Sequence, residues 1–130
     1  MAQKITDSVR AESVLHDRMA GLDHEEVWII FLNQLMEVIS TEMVSMGTLD
    51  TTAIDARTVL RRALLANASA FVMAHNHPSG NPIPSQADIE RTKEIGKASK
   101  MLGIVLIDHI IICDGCYYSF ADEVSHDKNR

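Results

Sequence analysis

Apolar and polar positions along the chain fall into blocks, and the spacing inside each block predicts its element. Residues 3–20 set Ile5, Val9, Val14 and Leu15 among polar residues at helical spacing, which predicts a lead-in helix. Residues 27–32 (Val-Trp-Ile-Ile-Phe-Leu) form a continuous apolar run, the pattern of a strand buried on both faces. Asn33-Gln34 predicts a turn, and residues 38–46 alternate as the partner strand of an antiparallel hairpin. Gly47-Thr48 ends that strand, and 49–56 is a connection. Residues 57–67 place Val59, Leu60, Ala63 and Leu64 on one helical face. Residues 69–77 predict a strand centred on Phe71, Val72 and Met73. The segment 78–84 holds all three prolines, Pro78, Pro82 and Pro84, with Gly80, and must be a loop. Ser85 opens a helix that runs to about residue 102. Residues 104–112 predict a strand interrupted only by Asp108 and His109. Asp114-Gly115 is a strong hairpin signal, and 117–120 return from it. From Asp122 onward the chain is polar and reads as a frayed tail.

The resulting order is helix, two strands, helix, strand, helix, two strands. It predicts an α/β (α+β) fold, a mixed sheet with helices packed on it. A chain of 130 residues is the size of one domain and can bury a core without disulfides. The domain is expected to cover 1–130, with 1–22 as helical lead-in and 122–130 as polar tail.

Charge and composition narrow the function. The net charge of −6 argues against a general nucleic-acid binder, which normally shows a basic footprint. Arg57, Arg61 and Arg62, and separately Arg91, Lys93, Lys97 and Lys100, read as solvated helix faces; Glu90 and Glu94 interrupt the second group. No apolar run is long enough to span a membrane. The opening Met-Ala-Gln-Lys-Ile-Thr-Asp carries no secretory h-region, so a cytoplasmic location is expected. Cys113 and Cys116 straddle the Asp-Gly turn and read as turn-flanking residues with no redox or metal role.

The candidate chemistry lies in His75-Asn-His77-Pro-Ser-Gly-Asn-Pro-Ile-Pro-Ser85-Gln-Ala-Asp88. Strand side chains alternate, so His75 and His77 leave the same face and can chelate one ion. The proline loop delivers Ser85 and Asp88 at a helix start. Ser85-Gln-Ala-Asp88 is also a capping box, so capping and ligation compete for the Asp88 carboxylate. Two histidines, one carboxylate and an open fourth position suit a hydrolytic zinc site. Such a metal lowers the pKa of its bound water to about 7. A general base is then needed. Glu42, on a strand face with Val38, Ser40, Val44 and Met46, is the candidate, since a carboxylate among apolar neighbours needs a task or a partner. His109 is either a hydrogen-bonded core histidine or a support for the metal ligands.

The spacing His-x-His, seven residues, Ser, two residues, Asp resembles the JAB/MPN (JAMM) metalloprotease signature. The wider text, Glu42-Met-Val-Ser-Met-Gly-Thr48-Leu, Ala74-His-Asn-His-Pro-Ser-Gly80, Leu102-Gly-Ile and Asp108-His-Ile-Ile, looks like the RadC family across residues 12–121. The resemblance implies a curved mixed sheet flanked by helices, with a cytidine-deaminase-like layout. It implies zinc on His75, His77 and Asp88, Glu42 as general acid/base, and Ser85 stabilising the oxyanion. Two departures stand out. The helix-hairpin-helix domain of longer RadC proteins does not fit in this length, and Ala56-Arg57 stands where the family tends to have Pro-Arg.

The implied activity is zinc-dependent hydrolysis of a peptide or isopeptide bond, with a peptide or protein as substrate. The alternative is a DNA-repair or mobile-element accessory protein acting on or near nucleic acid. A zinc deaminase would carry H-x-E and P-C-x-x-C, whereas this chain has His-Asn-His and no proline before Cys113. A non-haem iron centre uses the same ligand types and is separated from zinc by metal analysis.

Overall fold

The computed structural model describes residues 3–47 and 55–128. Most of the expected 49–56 connection therefore lies outside the described residues. In chain order the elements are α1 (Ser8–Met19), β1 (Glu26–Leu32), β2 (Val38–Met46), α2 (Ala56–Leu65), β3 (Ala70–Asn76), α3 (Gln86–Met101), β4 (Val105–Cys113), β5 (Cys116–Ser119) and β6 (Val124–Asp127). The six strands form one sheet in the order β2-β1-β3-β4-β5-β6. Only β3 and β4 run parallel, joined by the α3 crossover; every other neighbouring pair is antiparallel. This is the mixed α/β architecture that the block pattern predicts.

Period-two alternation sorts the core onto the two faces of the sheet. Ile30 and Leu32 of β1, Val72 and Ala74 of β3, and Ile110 and Ile112 of β4 pack with Ala11, Leu15 and Met19 of α1. On the other face, Val27, Ile29, Phe31, Phe71 and Met73 meet Val59 and Ala63 of α2 and Ile95 of α3. Sandwiched between helices, β1 and β3 are apolar at nearly every position, as their sequences are. Burying a side chain such as Phe71 or Met73 contributes about 1.5–3 kcal/mol.

Both helices against the second face begin with a side-chain cap. Asp55 accepts from Thr58 N–H at 2.8 Å and Ser85 accepts from Asp88 N–H at 3.0 Å. These bonds satisfy donors that the first helical turn leaves unpaired.

Three sequence expectations change. Leu64 does not share the buried face of α2; it is 60% exposed, while Val59, Leu60 and Ala63 turn inward. Strict alternation along 104–112 predicts His109 on one face with Val105, Ile107 and Ile111, but it does not share a face with Val105 and Ile107. Phe71 pairs with Leu106 but Val72 pairs with Asp108, so Ile107 is an extra residue and the alternation of β4 shifts there. Ile107 packs on the α1 side and Leu106 on the α3 side. Finally, the polar tail is not frayed through 124–127, which form the sheet edge β6 on β5. His126 stacks on Tyr117 at 4.6 Å between ring centroids, and Lys128 Nζ reaches the buried Glu12 at 2.6 Å. Cys113 and Cys116 pair across the Asp114-Gly115 turn, where Gly115 takes φ of 81°, and both are free thiols. No helix among the described residues is long and apolar enough to cross a membrane.

Candidate metal centre

The site forms where β3 runs out of the sheet. Phe71, Met73 and His75 point to the α3 side, and His77 follows one step beyond the strand end. The Nε2 atoms of His75 and His77 lie 3.1 Å apart. Asp88 completes the group from the first turn of α3, with Oδ1 3.1 Å from His75 Nε2 and Oδ2 3.2 Å from His77 Nε2. The site is dry on its inner side: the His75 and Asp88 side chains are 1% and 5% exposed.

Local chain chemistry sets each position. After His77 the backbone turns, with Gly80 N–H donating to the His77 carbonyl at 3.1 Å and Gly80 at φ of 85°, a conformation that favours glycine. The turn brings the Asn81 carbonyl within 2.8 Å of His77 Nδ1. A carbonyl only accepts, so Nδ1 donates and Nε2 of the neutral ring is left bare toward His75 and Asp88. Pro82 and Pro84 then hold the chain extended into the helix start.

Asp88 serves the cap and the cluster together. Its Oδ2 accepts the Ser85 N–H at 2.8 Å while both oxygens face the imidazoles. Burial alone would raise its pKa, but His75 and His77, with the Ser85 N–H, drive it well below the carboxylate range. For His77, burial pulls downward, and contact with Asp88 and the Asn81 carbonyl outweighs it, so its pKa is raised. Ser85 is exposed and uses an oxygen lone pair for the cap, which leaves its hydroxyl proton free to donate.

A further carboxylate belongs to this group. Glu25, His75 and His77 each offer a ligand atom within 4.8 Å of the others, a cluster able to hold a metal ion. Antiparallel pairing matches Val27 with His75, so continuing the register brings Glu25 opposite His77. Asn76, the buried middle residue of His-Asn-His, fixes this junction. Its Oδ1 accepts the Glu26 N–H at 2.8 Å, and its Nδ2 donates to the His24 carbonyl at 2.8 Å. The Glu25 carbonyl itself accepts from Gly47 N–H at 2.7 Å. Glu25 is thus tied through the peptide units on both of its sides.

Glu42 stands apart from the cluster. It pairs with Ile29, in the row of Met73, and lies two strands and two residues from His75. At about 4.8 Å between strands and about 3.3 Å per residue, that is about 12 Å. Its Oε1 lies 3.4 Å from Arg62 of α2 and Ser40 donates to its other oxygen at 3.4 Å. Its side chain is 36% exposed. Sequence reading missed Glu25 because His-Glu-Glu before an apolar run looks like a solvated strand entry. The available signal was positional: an antiparallel β1 must set its first residues beside the last residues of β3.

Comparison with known proteins agrees with the fold. A family model described as a RadC-like JAB domain matches residues 5–125. A UPF0758 protein of Porphyromonas gingivalis is 43% identical over 93% of this chain and 54% of its own length. One from Flavobacterium johnsoniae is 41% identical over 93% of this chain and 53% of its own. UPF0758 protein YfjY of Escherichia coli K12 is 39% identical over 90% of this chain and 73% of its own. The chain spans about half the length of the first two relatives and most of the third. Matched across nearly its whole described length, the chain belongs to the family of RadC-like JAB domains.

Proposed function

We propose that the protein is a zinc-dependent hydrolase of peptide or isopeptide bonds, with His75, His77 and Asp88 holding the metal and Glu25 as general acid/base. The convergence of three donor groups on one buried point carries this reading. Two ligands of a tetrahedral zinc, each about 2.0–2.1 Å from the ion, lie about 3.3 Å from each other. The two Nε2 atoms stand 3.1 Å apart, and Asp88 offers Oδ1 to His75 at 3.1 Å and Oδ2 to His77 at 3.2 Å, spacings close to that arrangement. Two imidazoles and a carboxylate are also a donor set that zinc favours.

The two carboxylates divide the work by position. Asp88 sits at ligand spacing and is buried; Glu25 is half-buried and its carboxylate lies within 4.8 Å of the His75 and His77 ligand atoms, within reach of a water held there. A bound zinc supplies Lewis acidity and makes a water acidic near pH 7, within about one unit. The Glu25 carboxylate takes the proton of the attacking water and returns it to the leaving nitrogen. The free Ser85 hydroxyl donates to the carbonyl oxygen as negative charge builds there. Glu42, the expected base, is replaced in this role by Glu25. A nucleic-acid substrate gains little support, because Arg62 and Arg91 already face Glu42 and Glu94.

The test is elemental analysis of the purified protein, followed by assay of wild type and Glu25→Gln on peptide and isopeptide-linked libraries. One equivalent of zinc in both proteins, with cleavage by wild type alone, is the expected result. Iron in place of zinc, or a zinc-loaded wild type that cleaves neither library, rejects the proposal.

A further inference from the structure

Behind His75 runs a line of hydrogen bonds that the proposed chemistry does not use. His75 Nδ1 lies 2.7 Å from Nε2 of His109, which is fully buried on β4. His109 Nδ1 lies 2.5 Å from the Thr92 hydroxyl on α3. That hydroxyl lies 2.6 Å from the backbone carbonyl of Asp88, one turn earlier in the same helix. The line therefore begins on one residue of the cluster and ends on another. We propose that Thr92 and His109 are positioning residues that fix the tautomer of His75, keeping its Nε2 bare for a metal ion.

Counting protons gives the direction. Each of the three contacts is short enough to need one hydrogen between its heavy atoms. The Asp88 carbonyl has none to give, so the Thr92 hydroxyl proton points at it. Thr92 then accepts from His109, whose Nδ1 must carry the hydrogen. His109 Nε2, bare in the neutral ring, accepts from His75 Nδ1–H. That leaves His75 Nε2 without a proton, facing His77 and Asp88. The opposite order would put a hydrogen between His75 Nε2 and Asp88 Oδ1 at 3.1 Å but none between Thr92 Oγ1 and the Asp88 carbonyl oxygen at 2.6 Å, the closer contact, where two bare oxygens repel more strongly.

β4 and the turn after β5 hold His109 to this task. Phe120 stacks on its ring at 4.7 Å with only 6° between planes. Asp108 Oδ1 accepts from both His109 N–H at 2.7 Å and Ala121 N–H at 2.9 Å, which ties the Phe120 turn to the same point. The extra residue at Ile107 shifts the alternation so that His109, and not Asp108, faces the site. Metal-bound histidines usually anchor their second nitrogen on a carboxylate, carbonyl or water, and loss of that anchor costs about 10–100-fold in affinity. Here a neutral histidine fills that place and hands the constraint on to a helix hydroxyl.

The inference rests on the metal reading for its affinity arm alone. Nitrogen-15 NMR of the metal-free wild type at a pH where the rings are neutral should show His75 and His109 both protonated on Nδ1. Thr92→Val keeps the side-chain shape and removes the hydroxyl. It should give His75 mixed tautomers and weaken Zn2+ binding, measured against a competing chelator, by about tenfold or more. Thr92→Ser should restore both. Wild-type His75 protonated on Nε2, or Thr92→Val with wild-type tautomers and affinity, overturns the inference. A wild type that binds no Zn2+ yet carries the His75 proton on Nδ1 rejects the metal reading and supports the relay.

Discussion

β2 and β3 flank β1 on its two sides, yet they have opposite environments. Every residue of β3 from Ala70 to Asn76 is buried, whereas no residue of β2 from Val38 to Met46 is. The polar residues follow suit. On β3, His75 and Asn76 are enclosed and each polar atom is committed to a partner that fixes its direction. On β2, Glu42 has an exposed ion pair with Arg62, a long hydroxyl contact and solvent. A carboxylate on a strand acquires chemistry from enclosure and convergence, and the edge of a sheet offers neither. The comparison can be broken most sharply at the ligands. On the proposed site, zinc should raise the melting temperature of the wild type, and His75→Ala should abolish that rise. A ligand at 100 times its Kd stabilises by about 2.7 kcal/mol. A variant still stabilised by zinc would place the ion elsewhere.

The two glutamates allow a second, graded test. Glu25→Gln keeps the shape and loses the base, and should lower the turnover of a cleaved peptide by about 10²–10⁴-fold with zinc retained. Equal losses in Glu25→Gln and Glu42→Gln would erase the distinction drawn between the strands. Asn76→Ala probes the same region through the backbone. It leaves the Glu26 N–H and the His24 carbonyl without their partner, at about 1–3 kcal/mol in stability by chemical denaturation. Freed at the junction, Glu25 should lose about 10²-fold in rate, the scale of a 1 Å misplacement. Zinc content should stay unchanged, because Asn76 points away from His75. A fall in zinc equal to the fall in rate would show that Asn76 supports the ligands and not the base.

How far the sequence revealed this arrangement depended on the range of each interaction. Strands β1, β3 and β4 and helix α3 were legible because unbroken apolar runs and a capping box are local signals. His75, His77 and Asp88 were legible for the same reason: an i, i+2 pair on a strand and an N-cap three residues from a carboxylate are short-range patterns. Glu25 was hidden because its place depends on pairing between Glu26 and Asn76, fifty positions apart in the chain. Thr92 looked like any polar residue of an exposed helix turn, and only the packing of α3 on β4 gives it His109 as a partner. β6 was missed because Val-Ser-His-Asp has little apolar content; its order comes from β5, from the His126–Tyr117 stack and from Lys128 on Glu12.

The smallest expected effect is the one that separates resemblance from geometry most cleanly. Glu42 stands in a stretch whose likeness to the family implies the proton-transfer role, while the fold gives it a surface ion pair. An exposed pair at 3.4 Å is worth about 0–1 kcal/mol, since solvent screens it and two flexible side chains must be held. Glu42→Gln should therefore lower stability by less than about 1 kcal/mol. The loss should shrink further in about 1 M salt, where the screening length falls to about 3 Å. Peptide turnover and zinc content should match the wild type. If turnover falls with zinc retained and the melting temperature unchanged, Glu42 reaches the substrate in some state other than the one seen here. The base would then have to be sought on β2 after all. If turnover holds, the proton is left to Glu25, and the open edge of the sheet contributes only the shelter that Arg62 and α2 give to the strand behind it.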